Sequence, residues 1–281
     1  MLSDIVLNTE GGCPVLTYEV PIGSLCADVT IYESSEASWR GLKNWSLSNL
    51  QKNPALTKAL PHIFSLLNIR DVFVPRVLSN GTITSGSHLT DCFSLGTARV
   101  YQNQKVAADG LILAPGQTLM MSTTGCPLII AGAGAHFIVA HAGRHSLIDP
   151  GVPNGKPTRE HTSVVDAIVS SFWDQGIPPS KIVMTLLFPT PRIQFERDGK
   201  NRTYSAKDMA LIAYAHTHWK DSIVEKDGNV FLDMEMVFLE QAIQAGVLCV
   251  SSMLQMPHLA RTEDKKNKCE RRHLVVVKRK E

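Results

Sequence analysis

The sequence predicts a mixed α/β fold, α+β in part: one domain in which a mixed sheet carries flanking helices. Three observations predict it. Apolar runs of strand length recur at Cys126-Pro127-Leu128-Ile129-Ile130, Phe137-Ile138-Val139-Ala140-His141 and Lys181–Phe188. Helical periodicity lies among them, with Val165, Ile168, Val169 and Phe172 spaced i, i+3, i+4, i+7. No internal repeat or composition break divides the 281 residues, so residues 1–281 read as a single domain.

The elements follow in order. Val15–Val20 and Asp28–Tyr32 have strand composition and predict a hairpin. Residues 46–68 read as helical, divided by Pro54 and Pro61. Val72-Phe73-Val74 reads as a short buried strand, while residues 79–108 are polar and Gly/Ser-rich and yield no pattern. Gly110–Leu113 and Thr118–Met121 are strands flanking a Pro115-Gly116 turn. The 126–130 and 137–141 runs form an antiparallel pair around Ala131-Gly132-Ala133-Gly134-Ala135. Residues 144–162 are a long Pro/Gly-rich polar loop, of the kind that serves as a lid or binding loop. Beyond the helix at 165–172 come a buried strand at 181–188 and helices at 205–218 and 233–245. In the last helix Met236, Leu239 and Ile243 share a face and Gly246 is the C-cap. Val247–Val250 and Leu274–Val277 close the sheet.

Composition narrows the function classes. Apolar residues make up 44% and charged residues 19%, enough to bury a substantial core. A formal charge of +2 argues against nucleic acid or a membrane surface as partner. The tail from Arg261 to Glu281 carries nine Lys/Arg against four Asp/Glu and reads as a solvated loop before the closing strand. The N-terminus shows no signal peptide, and six cysteines without a CxxC pair fit reduced thiols, so the expected location is cytoplasmic.

Chemistry concentrates at Cys126 and His141. In an antiparallel pair the start of one strand lies beside the end of the next, so a thiol and an imidazole fifteen positions apart meet at one end. That pair serves as nucleophile and base, or as two ligands of a soft metal. The bland alternatives are a buried apolar thiol and a strand-end histidine held by a hydrogen bond. Against the first stands Thr123-Thr124-Gly125, a small polar turn whose N–H groups near Thr124 and Gly125 would face a developing oxyanion. Arg144 adds a cation for an anionic group or for lowering the thiol pKa. Gly132-Ala133-Gly134 lacks the third glycine and the helix of a phosphate loop. His216 and His218 do not share a helical face, which argues against a zinc site there.

A resemblance rests on Ala108-Asp109-Gly110-Leu111-Ile112, Pro115-Gly116-Gln117-Thr118-Leu119, Thr123-Thr124-Gly125-Cys126-Pro127-Leu128-Ile129-Ile130 and Ala140-His141-Ala142-Gly143. Together they resemble the bacterial laccase-domain family, also called polyphenol oxidase or peptidoglycan editing factor, whose members include purine nucleoside phosphorylases. Pro191–Glu196, Asp233–Gly246 and Arg271–Val276 are weaker echoes, and residues 1–69 match poorly. The resemblance implies a zinc-type centre with Cys126 and His141 as two ligands. The family's third ligand comes from a Gln-Val-His-Gly segment, whose counterpart Arg76–Gly81 holds no histidine. His88 is the candidate substitute. The family's Thr-Ala-Asp-Cys is Thr-Thr-Gly-Cys here, and its His-Ala-Gly-Trp-Arg-Gly is His-Ala-Gly-Arg-His-Ser. The same fold is shared by the cytotoxic necrotizing factor deamidases, whose Ser-Gly-Cys turn and later His form a metal-free dyad; Thr124-Gly125-Cys126 and His141 are similar to that pair.

Three functions follow as expectations. One is a divergent laccase-domain enzyme acting on a purine nucleoside, of phosphorylase or deaminase type, around zinc held by Cys126, His141 and His88. Another is a metal-free thiol hydrolase or glutamine deamidase acting on a small-molecule or protein amide. The last is a non-catalytic binding remnant.

Overall fold

The computed structural model describes residues 5–8, 14–33, 50, 54–103, 105–123, 126–189, 192–197, 203–253 and 273–280. Two sheets pack face to face. The first, in spatial order, runs β1 (Ile5–Asn8), β2 (Pro14–Ile22), β3 (Leu25–Glu33), β17 (His273–Arg279), β9 (Thr118–Thr123), β4 (Asp71–Phe73), β7 (Ala98–Gln102), β6 (Asp91–Leu95). The second runs β16 (Cys249–Met253), β12 (Val183–Leu187), β10 (Leu128–Ala133), β11 (His136–His141), β8 (Gly110–Ile112), β5 (Ile83–Ser85). A small third sheet holds β13 (Ile193–Gln194), β15 (Asn229–Leu232) and β14 (Ile223–Lys226).

Strand alternation assigns each side chain to a layer. Leu128 and Ile130 of β10 meet Val29 and Ile31 of β3 and Val275 and Val277 of β17 in the core between the sheets. Ile129 and Ala131, one residue out of phase, face the helices α3 (Val164–Trp173), α4 (Ala206–His218) and α5 (Met234–Gln244). The outer face of the first sheet receives α1 (Pro54–Leu66) through Leu60, Ile63 and Phe64. The result is a helix–sheet–sheet–helix stack forming one compact mixed α/β domain. Because β10, β11 and β12 are covered on both faces, they read in sequence as continuous apolar runs.

Local chemistry sets the boundaries. Ser163, Ser205 and Asp233 cap α3, α4 and α5 by accepting backbone N–H groups. Gly246, at φ +83°, ends α5 as the sequence predicts. Pro115-Gly116 carries the chain from β8 in one sheet to β9 in the other, so the strands flanking that turn do not pair with each other.

Residues 79–108, which yield no pattern in the sequence, form β5, a 3-10 turn at Gly86–His88, β6 and β7. Two expectations are corrected. The buried face of α5 is Met234, Val237, Phe238 and Gln241, whereas Met236 and Leu239 are half-buried and Ile243 is exposed. The loop 144–162 opens with the short helix α2 (Arg144–Leu147) and includes a 3-10 turn at Val152–Asn154. The expectations for the start of the 46–68 helix and for most of the basic tail fall on residues outside the described set.

Candidate functional site

Cys126 lies in the passage between the two sheets, after β9 ends at Thr123 and before β10 begins at Leu128. Thr123 shapes this turn. Its hydroxyl accepts the Cys126 N–H at 2.7 Å and donates to the Cys126 carbonyl at 2.8 Å. The Cys126 N–H is therefore already engaged and is not a donor for an oxyanion. Thr124 and Gly125, the expected substrate-binding residues, lie outside the described set.

His141 ends β11 opposite Leu128, and its backbone N–H donates to the Asp109 carbonyl at 2.8 Å. One further rung, Ala142 N–H to Pro127 carbonyl at 2.8 Å, holds the strand end against the residue after Cys126. The two side chains flank one small space. The point a Gly143 Cβ would occupy lies 3.0 Å from His141 Nε2, 2.6 Å from Cε1 and 3.4 Å from Cys126 Sγ. Gly143 itself has φ −65°, which any residue adopts, so the demand for glycine here is spatial. The structure thus brings Cys126 and His141 together at the open end of the β10–β11 pair.

The other imidazole nitrogen, Nδ1, pairs with the buried Ser146 Oγ at 3.0 Å. Burial pushes the His141 pKa down, and the nearby Asp109 charge opposes this only in part. The imidazole is consequently neutral at neutral pH. In the tautomer that donates Nδ1–H to Ser146, Nε2 carries the lone pair, and Nε2 and Cys126 Sγ border the same point beside Gly143.

A carboxylate and a guanidinium frame this pair. Asp109 is fully buried; its Oδ2 accepts the Gly81 N–H at 2.7 Å and its Oδ1 has no hydrogen-bond partner among the described residues. Arg159 packs against the same Gly81, where a Cβ would stand 2.9 Å from its Cζ. Its guanidinium donates to the carbonyls of Ser79, His145, Ser146, His161 and Thr162. The loop 144–162 therefore borders the site as a fixed wall. Its far part is tied by Asp149, which accepts the Gly151 and Thr158 N–H groups and the Thr158 hydroxyl. Arg144 follows Gly143 directly and is half-buried; among the described residues its guanidinium makes no hydrogen bond or ion pair.

His88 is not part of this constellation. Its side chain is exposed and bonds the Thr84 hydroxyl at 2.7 Å. Among the described residues no three His, Cys, Asp or Glu side chains are placed to share a metal ion. Cys126 and His141 supply two donors where a protein-held zinc takes at least three, so the described residues do not fit the zinc set that His88 would complete.

The crystal structure of Neisseria meningitidis protein NMB0706, described by the family name DUF152, aligns over 100% of this chain and 99% of that one, with a TM-score of 0.56 and 11% identity. The chain has that protein's fold. DUF152 is the laccase-domain fold, so the sequence resemblance holds at the level of architecture. No protein-family model and no curated protein matches the sequence.

Sequence reasoning missed Asp109, Gly143, Ser146 and Arg159 as site components. Asp109 had a signal, a lone acid beside Gly110 in an apolar segment; Arg159 had none, because its five carbonyl partners are scattered over more than eighty positions.

Proposed function

We propose that this laccase-domain-like protein is a metal-independent thiol hydrolase that deamidates or hydrolyses a carboxamide. The observation that carries this reading is the convergence of Cys126 Sγ and His141 Nε2 on the space beside Gly143, with Nδ1 tied to Ser146. The neutral imidazole accepts the thiol proton as Sγ forms a bond to the carboxamide carbon. The tetrahedral intermediate expels ammonia or an amine as the C–N bond breaks, and the leaving nitrogen takes the proton from His141. Water, deprotonated by the same Nε2, then cleaves the thioester and releases the acid, and the proton returns to Cys126. Arg144, next in the chain to Gly143 and without an ion pair among the described residues, supplies a cation for an anionic substrate group. Asp109 acts on the imidazole through its charge and is a positioning residue.

A second reading, a zinc-type centre acting on a purine nucleoside, is what the laccase-domain resemblance of the sequence implies; the likeness to NMB0706 supports the fold alone. It needs a further ligand. Among the described residues, His273 pairs in register with Thr123, three positions before Cys126, and is the candidate to examine.

Metal analysis separates the readings when paired with carboxamide turnover on the same preparation. Protein free of stoichiometric zinc that deamidates glutamine-containing peptides, and loses this on Cys126→Ala, supports the hydrolase. Stoichiometric zinc lost in the Cys126→Ala and His141→Ala variants overturns it in favour of the metal centre. A zinc-free protein whose Cys126 resists alkylation overturns both and leaves a binding role.

A further inference from the structure

A cavity lies at the end of the β10–β11 hairpin opposite the Cys126–His141 pair. Ala135, on its rim, is six residues from His141 along the hairpin, roughly 20 Å at strand rise. The cavity measures about 690 Å³, within the range of small-molecule sites.

Its lining holds a charge without a counter-ion among the described residues. Arg279 is 4% exposed, near the end of β17. Nη1 donates to the Leu113 carbonyl, and Nε has no hydrogen-bond partner among the described residues. No carboxylate among the described residues forms an ion pair with it; its Cζ lies over the Phe137 ring, 5.6 Å from the centroid. Burial lowers its pKa, though an arginine stays charged. A buried guanidinium without a counter-ion carries a desolvation cost that pairing would offset. The cavity is where an anion can reach it.

The rest of the lining suits the remainder of such a ligand. Phe73 and Tyr101 stack with centroids 4.7 Å apart, giving a flat apolar wall. Gly86 lies close against Phe73, where a Cβ would come within 3.1 Å of the ring. Ser85, Ser87 and Thr90 add hydroxyls. One positive charge, hydroxyl donors and a planar apolar wall match a monoanion with a ring better than a polyanion.

We propose that this cavity binds a small planar carboxylate, with Arg279 as its counter-ion, independently of the Cys126–His141 site. Benzoate is the probe, benzamide its uncharged counterpart, and inorganic phosphate an anion without a ring; binding is followed by amide shifts at Ser87, Thr90 and Ala135. Saturable benzoate binding at millimolar or lower Kd is expected, with benzamide and phosphate at least about tenfold weaker. Ala135→Glu supplies a carboxylate from the exposed hairpin turn. It should abolish benzoate binding and raise the melting temperature, which an unfolded variant could not do. Arg279→Met should lose the preference for benzoate over benzamide. Equal binding of benzoate and benzamide to the native protein, unchanged benzoate binding in folded Ala135→Glu, or no saturable binding at all would overturn the proposal.

Discussion

A methyl group at Gly143 would sit 2.6 Å from His141 Cε1, closer than a real contact allows, on a backbone that alanine tolerates. Gly143→Ala should therefore push the imidazole away from Cys126 while leaving the chain path intact. We expect carboxamide turnover to fall at least about a hundredfold with little loss of melting temperature, since a misplacement near 1 Å costs that much. Retained turnover would mean that the imidazole does not act from this position. His141 also predicts a pH effect. Its folded pKa is depressed by burial, so below its unfolded value near 6.5 the unfolded chain binds more protons than the native one. Its contribution is intact above that pH and is lost as pH falls from there through the lower folded pKa. Melting temperature should decline on this acid side, and His141→Asn should flatten that part of the profile; an equal slope in the variant would assign it elsewhere. At this scale the sequence was informative where chemistry and spacing coincided. Cys126 and His141 stood at the ends of two apolar runs, but Ser146 and Arg159 act from a loop whose path composition does not encode.

Elements were legible in proportion to how fully they are buried. β10, β11 and β12 are covered on both faces and appear in sequence as unbroken apolar runs. β6 is an edge strand with three of its five residues exposed, and its backbone ladder with β7 forms without an apolar pattern to announce it. α5 carried two apolar stripes. The Met236–Leu239–Ile243 stripe has the regular spacing, but the neighbouring sheet and α3 receive Val237 and Phe238 instead. The loop 144–162 is the element whose stability bears most on the site. Arg159 answers five carbonyls and stands 3.8 Å from the Asp149 carboxylate, with only 12% of its side chain exposed. Arg159→Met should destabilise the fold by about 3 kcal/mol or more, because it leaves buried acceptors and the Asp149 charge without their partner. Hydrogen exchange should quicken over 145–162 more than over α4. Uniform exchange across both would show that Arg159 is not what fixes this wall.

Across the whole molecule, the two-sheet stack brings the end of β9 and the start of β10 from different sheets to one edge, and Cys126 occupies the junction. No helix among the described residues is long and apolar enough to cross a membrane. The shared architecture with NMB0706 accounts for the layers and for the placement of the hairpin, while the 11% identity leaves the chemistry to this chain's own residues. Cys126 is half-exposed at a strand approach, so Cys126→Ala should cost only on the order of 1 kcal/mol of stability while abolishing turnover. A core role would produce the reverse, a lower melting temperature with little kinetic change. The most direct test is the rate at which iodoacetamide modifies Cys126 at neutral pH, located by mass spectrometry, in metal-depleted native protein and in His141→Asn. A general-base pair predicts rapid modification that slows at least about tenfold in the variant, with the other thiols unaffected. Equal rates at Cys126 in the two proteins would contradict the pairing on which the proposed function rests.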